Sequence, residues 1–255
     1  MKKLIIPLLA CIVCAVIVSV IAVSVRYEQN LNKENEKKEK ILLAAGYGDP
    51  DDPEGNLPVD LSVDDEFTKI KTVYVDFVAD KLVAIEDGYD HIKAAANPDL
   101  SSLIPKSDDI AVLKRRENIA PIYVWLDENN GIEKIVLPIR GYGLWGTLYG
   151  YLSLGSDLNT VNGIEYYEHK ETPGLGGEVE NTDWKSDWNG KKIYSEDGSV
   201  GLYVTKGSSK TEYEIDGISG ATLTTNGVTN MIKYWLGDNG YGPVIKNLSE
   251  EIKNI

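Results

Sequence analysis

The 255-residue sequence contains little cysteine and little histidine. Its two cysteines, Cys11 and Cys14, both lie in the first hydrophobic stretch, so a disulfide-stabilised scaffold is excluded. The two histidines are His91 and His169, and no cysteine follows residue 14, so the common zinc sites cannot be assembled. The sequence therefore predicts neither a disulfide framework nor a metal site.

Positive charge is scarce beyond residue 26. The chain has 26 basic and 40 acidic residues and a net charge of −14. Residues 1–26 hold three of the bases (Lys2, Lys3 and Arg26) and no acid, which leaves 23 bases against 40 acids and a net charge of −17 for residues 27–255. Such an acidic body repels phosphate backbones, and no cluster of basic and aromatic residues offsets the repulsion. The composition argues against nucleic acid and against an anionic membrane surface as partners.

One long apolar run is present, from Leu4 to Val25. These 22 residues carry no charge, and at about 1.5 Å per residue a helix of this length crosses a hydrocarbon core of about 30 Å. A cleaved signal peptide is disfavoured, because such a peptide has a shorter apolar region and a small-residue cleavage site. A lipoprotein signal at Leu8–Cys11 is disfavoured because hydrophobicity continues well past the cysteine. The run predicts a single transmembrane helix, but basic residues flank both of its ends and leave the orientation open.

The remaining chain divides by composition into two parts. Residues 27–58 alternate acids and bases at helical spacing up to Gly46 and then form an acidic linker rich in glycine and proline. Residues 59–255 show short strand patterns and few helical ones, with a core expected at about 120–243. We expect an α+β architecture, in which residues 1–26 form a membrane anchor and residues 59–255 form one mixed α/β domain.

Several segments carry local secondary-structure signals. The clearest is a hairpin, with strands at 120–127 and 132–139 around the turn Asn129–Gly131. A helix is expected from about Gly227 to Leu236, with Thr224, Thr225 or Asn226 as its N-cap and Gly237 as its stop. Further predicted strands are 72–79, 148–154, 163–168, 191–194, 200–205 and 211–215, and a short helix is predicted near 91–96.

The first of three glycine-rich segments is GYGLWG, from Gly141 to Gly146. It matches G-x-G-x-x-G literally, and Glu165 follows at about the distance of a ribose-binding acid. A dinucleotide fingerprint must open a helix, whereas the residues that follow here are aromatic and β-prone. Two interpretations remain open: close approach of the backbone to a flat ligand beside Trp145, and a bulged corner of a sheet.

The second segment is ETPGLGGE, from Glu171 to Glu178. Pro173 fixes one backbone torsion, whereas Gly174, Gly176 and Gly177 are free to adopt positive φ. Such a loop exposes backbone N–H groups and one apolar side chain, Leu175. This combination suits the edge and face of a planar heterocycle, and it also suits an ordinary surface turn.

The third segment is DGISGATLTTNGV, from Asp216 to Val228, and it leads into the predicted helix. Hydroxyl side chains crowd the start of this helix, where free N–H groups and the helix dipole stabilise a phosphate. Small neighbours leave the Thr222 hydroxyl accessible to a modifying enzyme. The residues alone favour a phosphate or modification site and a simple capped helix equally.

Asp216-Gly-Ile-Ser-Gly-Ala-Thr222 resembles the flavinylation motif D-G-x-[ST]-G-A-T, whose last threonine carries FMN through a phosphoester bond. The segments at 135–152, 171–181 and 235–243 resemble the C subunit of the sodium-translocating NADH:quinone reductase. The resemblance extends to the plan of one N-terminal membrane helix and one flavin domain. It covers nearly the whole chain and is least distinct at residues 46–115.

The resemblance implies an electron-transfer subunit with covalent FMN as its cofactor and no catalytic residue of its own. It places the phosphoester on Thr222, the recognition turn at 216–221, and ring contacts at Trp145 and the loop 172–176. The implied cofactor-binding residues are Thr222, Asp216, Ser219, Gly220, Ala221, Leu223, Thr224, Thr172, Gly174, Leu175, Gly176 and Trp145.

The resemblance also implies partners and a topology. A flavin transferase that uses FAD and magnesium attaches the FMN, which then takes electrons from an iron–sulfur centre and passes them to the flavin of the B subunit. The D and E subunits are further direct partners in the bacterial inner membrane, and the A and F subunits are indirect ones. The N-terminus is expected in the cytoplasm and the flavin domain in the periplasm. The alternatives are the G subunit of an Rnf-type complex and a membrane-anchored, non-enzymatic binding module.

Overall fold

The computed structural model describes residues 2–85 and 88–253. The chain forms two compact units, Met1–Glu39 and Lys40–Ile255. The helices are α1 (Lys2–Ser24), α2 (Arg26–Ala44), α3 (Val63–Phe67), α4 (His91–Ala96), α5 (Thr182–Ser186), α6 (Thr222–Leu236), α7 (Gly242–Ile245) and α8 (Leu248–Lys253), with a 3₁₀ turn at Gly176–Glu180. The strands are β1 (Lys71–Asp76), β2 (Lys81–Val83), β3 (Ser101–Leu103), β4 (Arg115–Glu117), β5 (Ile119–Leu126), β6 (Ile132–Tyr142), β7 (Thr147–Gly155), β8 (Val161–Glu168), β9 (Tyr203–Val204) and β10 (Glu214–Ile215).

The first unit contains α1 and most of α2. The apolar side chains of α1 are exposed from Ile12 to Val23, whereas the side chains of residues 1–10 lie outside the described part of the chain. Among the residues that the structure describes, no helix combines the length and the apolar character that crossing a bilayer requires.

A six-stranded antiparallel sheet in the order β2-β1-β5-β6-β7-β8 is the centre of the second unit. The predicted hairpin is confirmed as β5 and β6, and the Asp127 carboxylate accepts the backbone N–H groups of Asn129 (2.8 Å) and Gly131 (2.7 Å) in the turn. Helix α6 packs across β6. This observed arrangement of helices and sheet agrees with the predicted mixed α/β domain.

The sheet is buried on both faces, and its strands alternate between two apolar clusters. Ile135, Leu137 and Ile139 of β6 face the main core with α6, whereas Val136 faces the opposite side. This period of two is what a pleated strand imposes when each face is covered. The cover on the second face includes the end of α2 and the segment that follows it.

The end of α2 is an integral part of the second unit. Ile41, Leu42, Ala44 and Ala45 are buried in the cluster with Trp125, Val136 and Tyr151. Gly163 of β8 makes room for the helix, because a Cβ there would lie 2.7 Å from the Ala44 carbonyl oxygen. Lys40 contributes an ion pair of 3.2 Å to buried Glu165, which Lys185 also contacts. The compact unit therefore begins ahead of residue 59, where the sequence pattern places the start of the domain.

Several predicted strands are shorter than expected. The strand predicted at 72–79 ends at Asp76, because the Asp76 carboxylate accepts the N–H groups of Val78 and Ala79 and starts a turn. The segments predicted as strands at 191–194, 200–205 and 211–215 form only the two-residue strands β9 and β10 and isolated bridges. Their backbone groups bond to nearby loops instead, as in the Ile193 N–H to Asn159 carbonyl bond of 3.0 Å.

A buried ion pair joins β4 to β6 beside the last turn of α6. Glu117 of β4 accepts a hydrogen bond from the Arg140 guanidinium of β6, and their side chains are 1% and 8% exposed. The Arg140 guanidinium lies 5.6 Å from the centre of the Trp235 ring, and the Trp235 indole N–H donates to the Arg140 carbonyl at 2.7 Å. The last turns of α6 are therefore tied to the middle of the sheet.

Candidate functional site

The three glycine-rich segments meet at the beginning of α6. A Cβ on Gly227 of α6 would collide with the Tyr142 carbonyl oxygen and would lie 3.1 Å from Gly143 Cα. A Cβ on Gly220, just before the helix, would lie 2.9 Å from Leu175 Cδ2. The contact at Gly227 is with backbone atoms and excludes a larger side chain, so the absence of a Cβ there lets the β6–β7 turn approach α6. Gly220 contacts only the tip of the Leu175 side chain, which brings the loop 171–177 beside the start of the helix.

The segment 141–146 comprises the last two residues of β6 and the turn 143–146 of the β6–β7 hairpin, with a Gly143 N–H to Gly146 carbonyl bond of 2.8 Å. It joins two antiparallel strands and opens no helix, so it cannot be a dinucleotide fingerprint. Glu165, the acid at the spacing of a ribose-binding residue, is buried and paired with two lysines. The backbone of this turn closely approaches α6 at Gly227, which is a contact within the chain, so the approach to a flat ligand beside Trp145 stays a prediction.

Helix α6 begins earlier than the sequence predicts. It starts at Thr222 with Ala221 as N-cap and no side-chain cap, so the predicted N-caps Thr224, Thr225 and Asn226 are wrong. The Thr224 hydroxyl donates to the Glu171 carboxylate, and the Thr225 hydroxyl donates to the backbone carbonyl of Thr222 at 3.1 Å. Both hydroxyls are committed to tertiary and local bonds, which is why neither caps the helix. Gly237 is the C-cap, as predicted.

The first turn of α6 contains backbone donors, and its first two residues, Thr222 and Leu223, are exposed, whereas Thr224 is buried. Within the described part of the chain, no hydrogen bond reaches the backbone N–H groups of Thr222, Leu223 and Thr224. Thr222 and Ser219 are exposed, and Gly220 adopts a φ of +73° that turns the chain into the helix. An accessible hydroxyl beside unpaired N–H groups at a helix N-terminus suits a covalently held phosphate.

Asp216 orders the chain that precedes this turn. Its carboxylate accepts the Ser209 N–H at 2.5 Å, which holds the pKa of Asp216 below its ordinary value. Its backbone N–H donates to Asp187 at 2.6 Å, and its carbonyl accepts from the Trp184 indole at 2.7 Å. Asp216 therefore fixes the start of the 216–221 turn through its bonds to residues outside that turn.

The loop 171–177 is closed by backbone bonds. The N–H groups of Leu175 and Gly177 donate to the Thr172 carbonyl at 3.1 and 2.9 Å, and Gly174 adopts a φ of +75°. Thr172, Gly174 and Leu175 are exposed, whereas Gly176 is buried against Thr224 and Glu171. The loop thus presents Leu175 on the surface beside Gly220.

The elements that meet at the start of α6 carry exposed apolar side chains. We call this set the apolar patch, and its members are Tyr142, Leu144, Trp145, Leu175 and Leu223. Trp145 is 63% exposed and Leu223 is 59% exposed. Large apolar side chains gathered in this way indicate a binding surface. A flat ligand of mixed polarity fits a surface with apolar side chains and free N–H groups together.

Glu171 is the residue of this site that the sequence analysis did not single out. Its side chain is buried and accepts hydrogen bonds from the turn 143–146 and from Thr224 of α6. The available signal was an acid placed directly before a glycine-rich loop. Its partners are 26, 27 and 53 residues away in sequence, which is why local patterns do not reveal them.

The family model described as "FMN-binding domain" matches residues 143–237 of this chain. A C subunit of the Na(+)-translocating NADH-quinone reductase from Pseudomonas aeruginosa is 39% identical over 97% of this chain and 95% of its own length. The chain belongs to this C-subunit family. The corresponding protein from Vibrio alginolyticus is 36% identical, with 94% of this chain and 91% of the relative covered. The Na(+)-translocating NADH-quinone reductase that gives the C-subunit family its name is an oxidoreductase complex.

Solved structures of the C-subunit family share the fold. The structure of Shewanella oneidensis NqrC aligns with a TM-score of 0.77 and 31% identity, over 86% of this chain and 99% of that one. The C subunit from Parabacteroides distasonis aligns with a TM-score of 0.63 and 26% identity, over 86% and 96% of the two chains. The FMN-binding match spans the hairpin turn, the loop 171–177 and α6, the three elements that form the site.

Proposed function

We propose that this chain is the FMN-carrying electron-transfer subunit of a Na(+)-translocating NADH-quinone reductase, with FMN joined to Thr222 by a phosphoester. The observation that carries the proposal is the exposed Thr222 at the start of α6, beside unpaired N–H groups and the apolar patch. Membership of the C-subunit family and the FMN-binding match at 143–237 support the same cofactor.

The residues present fit both ends of FMN. The backbone N–H groups of Thr222, Leu223 and Thr224 suit the phosphate, and the positive end of the helix dipole stabilises its charge. Leu175 and Trp145 of the apolar patch suit the apolar face of the ring system. FMN supplies reversible electron uptake when bound, and the protein tunes that chemistry through backbone donors and apolar contacts.

The 216–221 turn gives the modifying enzyme a fixed target. Asp216 anchors one end of the turn, and Gly220 and Ala221 set the other end directly before Thr222. Ser219 and Gly220 are exposed, so a second protein can contact them together with the Thr222 hydroxyl. We propose that a flavin transferase recognises this turn and attaches FMN there.

The proposed environment is a bacterial inner membrane. We propose residues 1–26 as a transmembrane anchor, residues 27–58 as a charged helix and linker whose residues 41–45 pack on the flavin domain, and residues 59–255 as the flavin domain with its core at 120–243. The exposed apolar side chains of α1 from Ile12 to Val23 support the anchor. We place the N-terminus in the cytoplasm and the flavin domain in the periplasm, beside the B, D and E subunits and with indirect contact to the A and F subunits. Electrons pass from an iron–sulfur centre through this chain to the flavin of the B subunit.

The proposal is tested by producing the full chain with and without a flavin transferase. We expect the denatured chain to fluoresce under ultraviolet light on a gel only when the transferase is present. Mass spectrometry should then place the added mass on the peptide containing Thr222. A chain that carries no flavin under either condition would contradict the proposal and would favour the non-enzymatic binding module.

Charged substitutions of Leu175 test its proposed contact with the flavin ring. We expect Leu175→Glu to lower the reduction potential of the bound flavin and Leu175→Lys to raise it, because a nearby negative charge opposes the addition of an electron. A partly exposed charge within a few ångströms contributes on the order of 1 kcal/mol, which is about 40 mV for one electron. The measurement is a redox titration followed by absorbance.

Attachment of the flavin should be unaffected in both Leu175 variants, because attachment requires Thr222 and not the ring contact. The control is Leu103→Glu, which places the same charge on an exposed leucine of β3, outside the three glycine-rich segments. Equal potentials in the wild type and both Leu175 variants would remove Leu175 from the site.

A further inference from the structure

The geometry points to Glu171 as a positioning residue that holds the flavin site together. One buried carboxylate receives donors from the β6–β7 turn and the first turn of α6, and it links both to its own loop. The inference rests on the proposed function only for its effect on the flavin, because the links among the three elements are properties of the chain itself.

The hydrogen bonds of Glu171 divide between its two carboxylate oxygens. Oε1 accepts the N–H groups of Leu144 at 3.0 Å and Trp145 at 2.9 Å. Oε2 accepts the Thr224 hydroxyl and, at 3.2 Å, the Leu144 N–H. The two residues of the turn that donate through their backbones are the ones whose side chains project into the apolar patch. Glu171 therefore fixes the turn that presents Leu144 and Trp145.

Two glycines leave the space that this carboxylate occupies. A Cβ on Gly143 would lie 2.7 Å from Glu171 Oε1, and a Cβ on Gly176 would lie 2.7 Å from Glu171 Oε2. Any other residue at either position would press on the carboxylate. The glycines of the first two segments thus have a specific role, which is to admit Glu171 between the hairpin turn and α6.

The charge of Glu171 is compensated by neutral donors. Its side chain is only 5% exposed, and none of the ion pairs among the described residues includes it. Both oxygens of an ionised carboxylate accept hydrogen bonds, whereas a glutamine amide has one accepting oxygen and one donating nitrogen. A buried negative charge next to the site also opposes electron uptake nearby, so Glu171 contributes to the potential as well as to the geometry.

Hydrogen exchange on the full chain tests the positioning role without requiring flavin. In the wild type, the N–H groups of Leu144 and Trp145 are bonded to a buried group although their side chains are exposed, so they should exchange slowly. In Glu171→Ala we expect exchange in peptides covering 142–146 to rise about tenfold or more. Glu171→Asp shortens the side chain by one methylene and should raise the exchange by less. This variant tests the positioning role if Glu171→Ala does not fold. Glu168→Ala is the matched control, since Glu168 is exposed at the end of β8.

The second measurement uses the flavin-loaded chain. Glu171→Gln keeps the volume of the side chain and removes its charge, so we expect a higher reduction potential than in the wild type, with the Glu168→Gln potential unchanged. Wild-type exchange at 142–146 in the Glu171→Ala or Glu171→Asp variant would overturn the positioning role, whether or not flavin is bound. A wild-type chain without flavin would contradict the proposed function, while the exchange result would still decide the role of Glu171.

Discussion

A Thr222→Val chain produced together with a flavin transferase is expected to carry no flavin after denaturation. Valine has nearly the shape of threonine but lacks the hydroxyl oxygen that would form the phosphoester. Thr222 is exposed in the first turn of α6 and its side chain forms no hydrogen bond in the described structure, so the fold should lose no more than about 0.5 kcal/mol. The measurement compares ultraviolet fluorescence of the gel band with the wild type at equal protein load.

Thr222→Ser is the matched variant for this experiment, because it restores a hydroxyl at the same position. We expect it to regain fluorescence, at a yield set by how well the transferase accepts serine. Undiminished fluorescence in Thr222→Val would show that another residue holds the flavin. Loss of fluorescence in both variants, with the fold intact, would show that the transferase requires the threonine methyl group.

Arg140→Met is expected to lower the free energy of unfolding of the second unit by about 3–5 kcal/mol. The variant removes one partner of the Glu117–Arg140 pair and leaves the Glu117 carboxylate, which is 1% exposed, without its counter-charge. It also removes the guanidinium that packs near the Trp235 ring. The measurement is urea unfolding followed by tryptophan fluorescence.

The control for this prediction is Lys69→Met, which breaks the ion pair with Glu66 on the surface of the same unit. The Lys69 side chain is 61% exposed, so its pair is screened by water and contributes little to the stability of the fold. Equal losses in the two variants would contradict the prediction, because they would mean that burial of the Glu117–Arg140 pair has no energetic consequence.

Features encoded by adjacent residues can be predicted from the sequence. The β5–β6 hairpin follows from Asn130 and Gly131 between two apolar runs, and Asn130 indeed adopts a φ of +59°. The end of α2 follows from Gly46, whose φ of +88° turns the chain out of the helix. The resemblance to a flavin-carrying family rests first on the seven residues Asp216–Thr222. Each of these signals is complete within a few residues.

Features that depend on tertiary bonds cannot be predicted in the same way. The sequence pattern places the start of α6 five residues late, because Thr224 and Thr225 have the side chains of N-caps. In the structure the Thr224 hydroxyl instead donates to Glu171, and the Thr225 hydroxyl donates to the Thr222 carbonyl within the helix. The neighbouring residues mark Glu171 only as the first residue of a loop. Its hydrogen-bond donors lie on other elements and leave no local signal in the sequence. The strands expected between residues 190 and 215 have β-prone composition, but neighbouring loops supply their hydrogen bonds.

The burial of residues 41–45 against the sheet has a practical consequence for anyone who wishes to study the flavin domain in isolation. A truncated fragment that begins at residue 59 would lose these side chains and expose Trp125, Val136 and Tyr151 to solvent. It would also leave Glu165 with Lys185 as its remaining cation. A fragment that begins at Lys40 retains both the packing of residues 41–45 and the Lys40–Glu165 ion pair, and it omits the apolar run of α1.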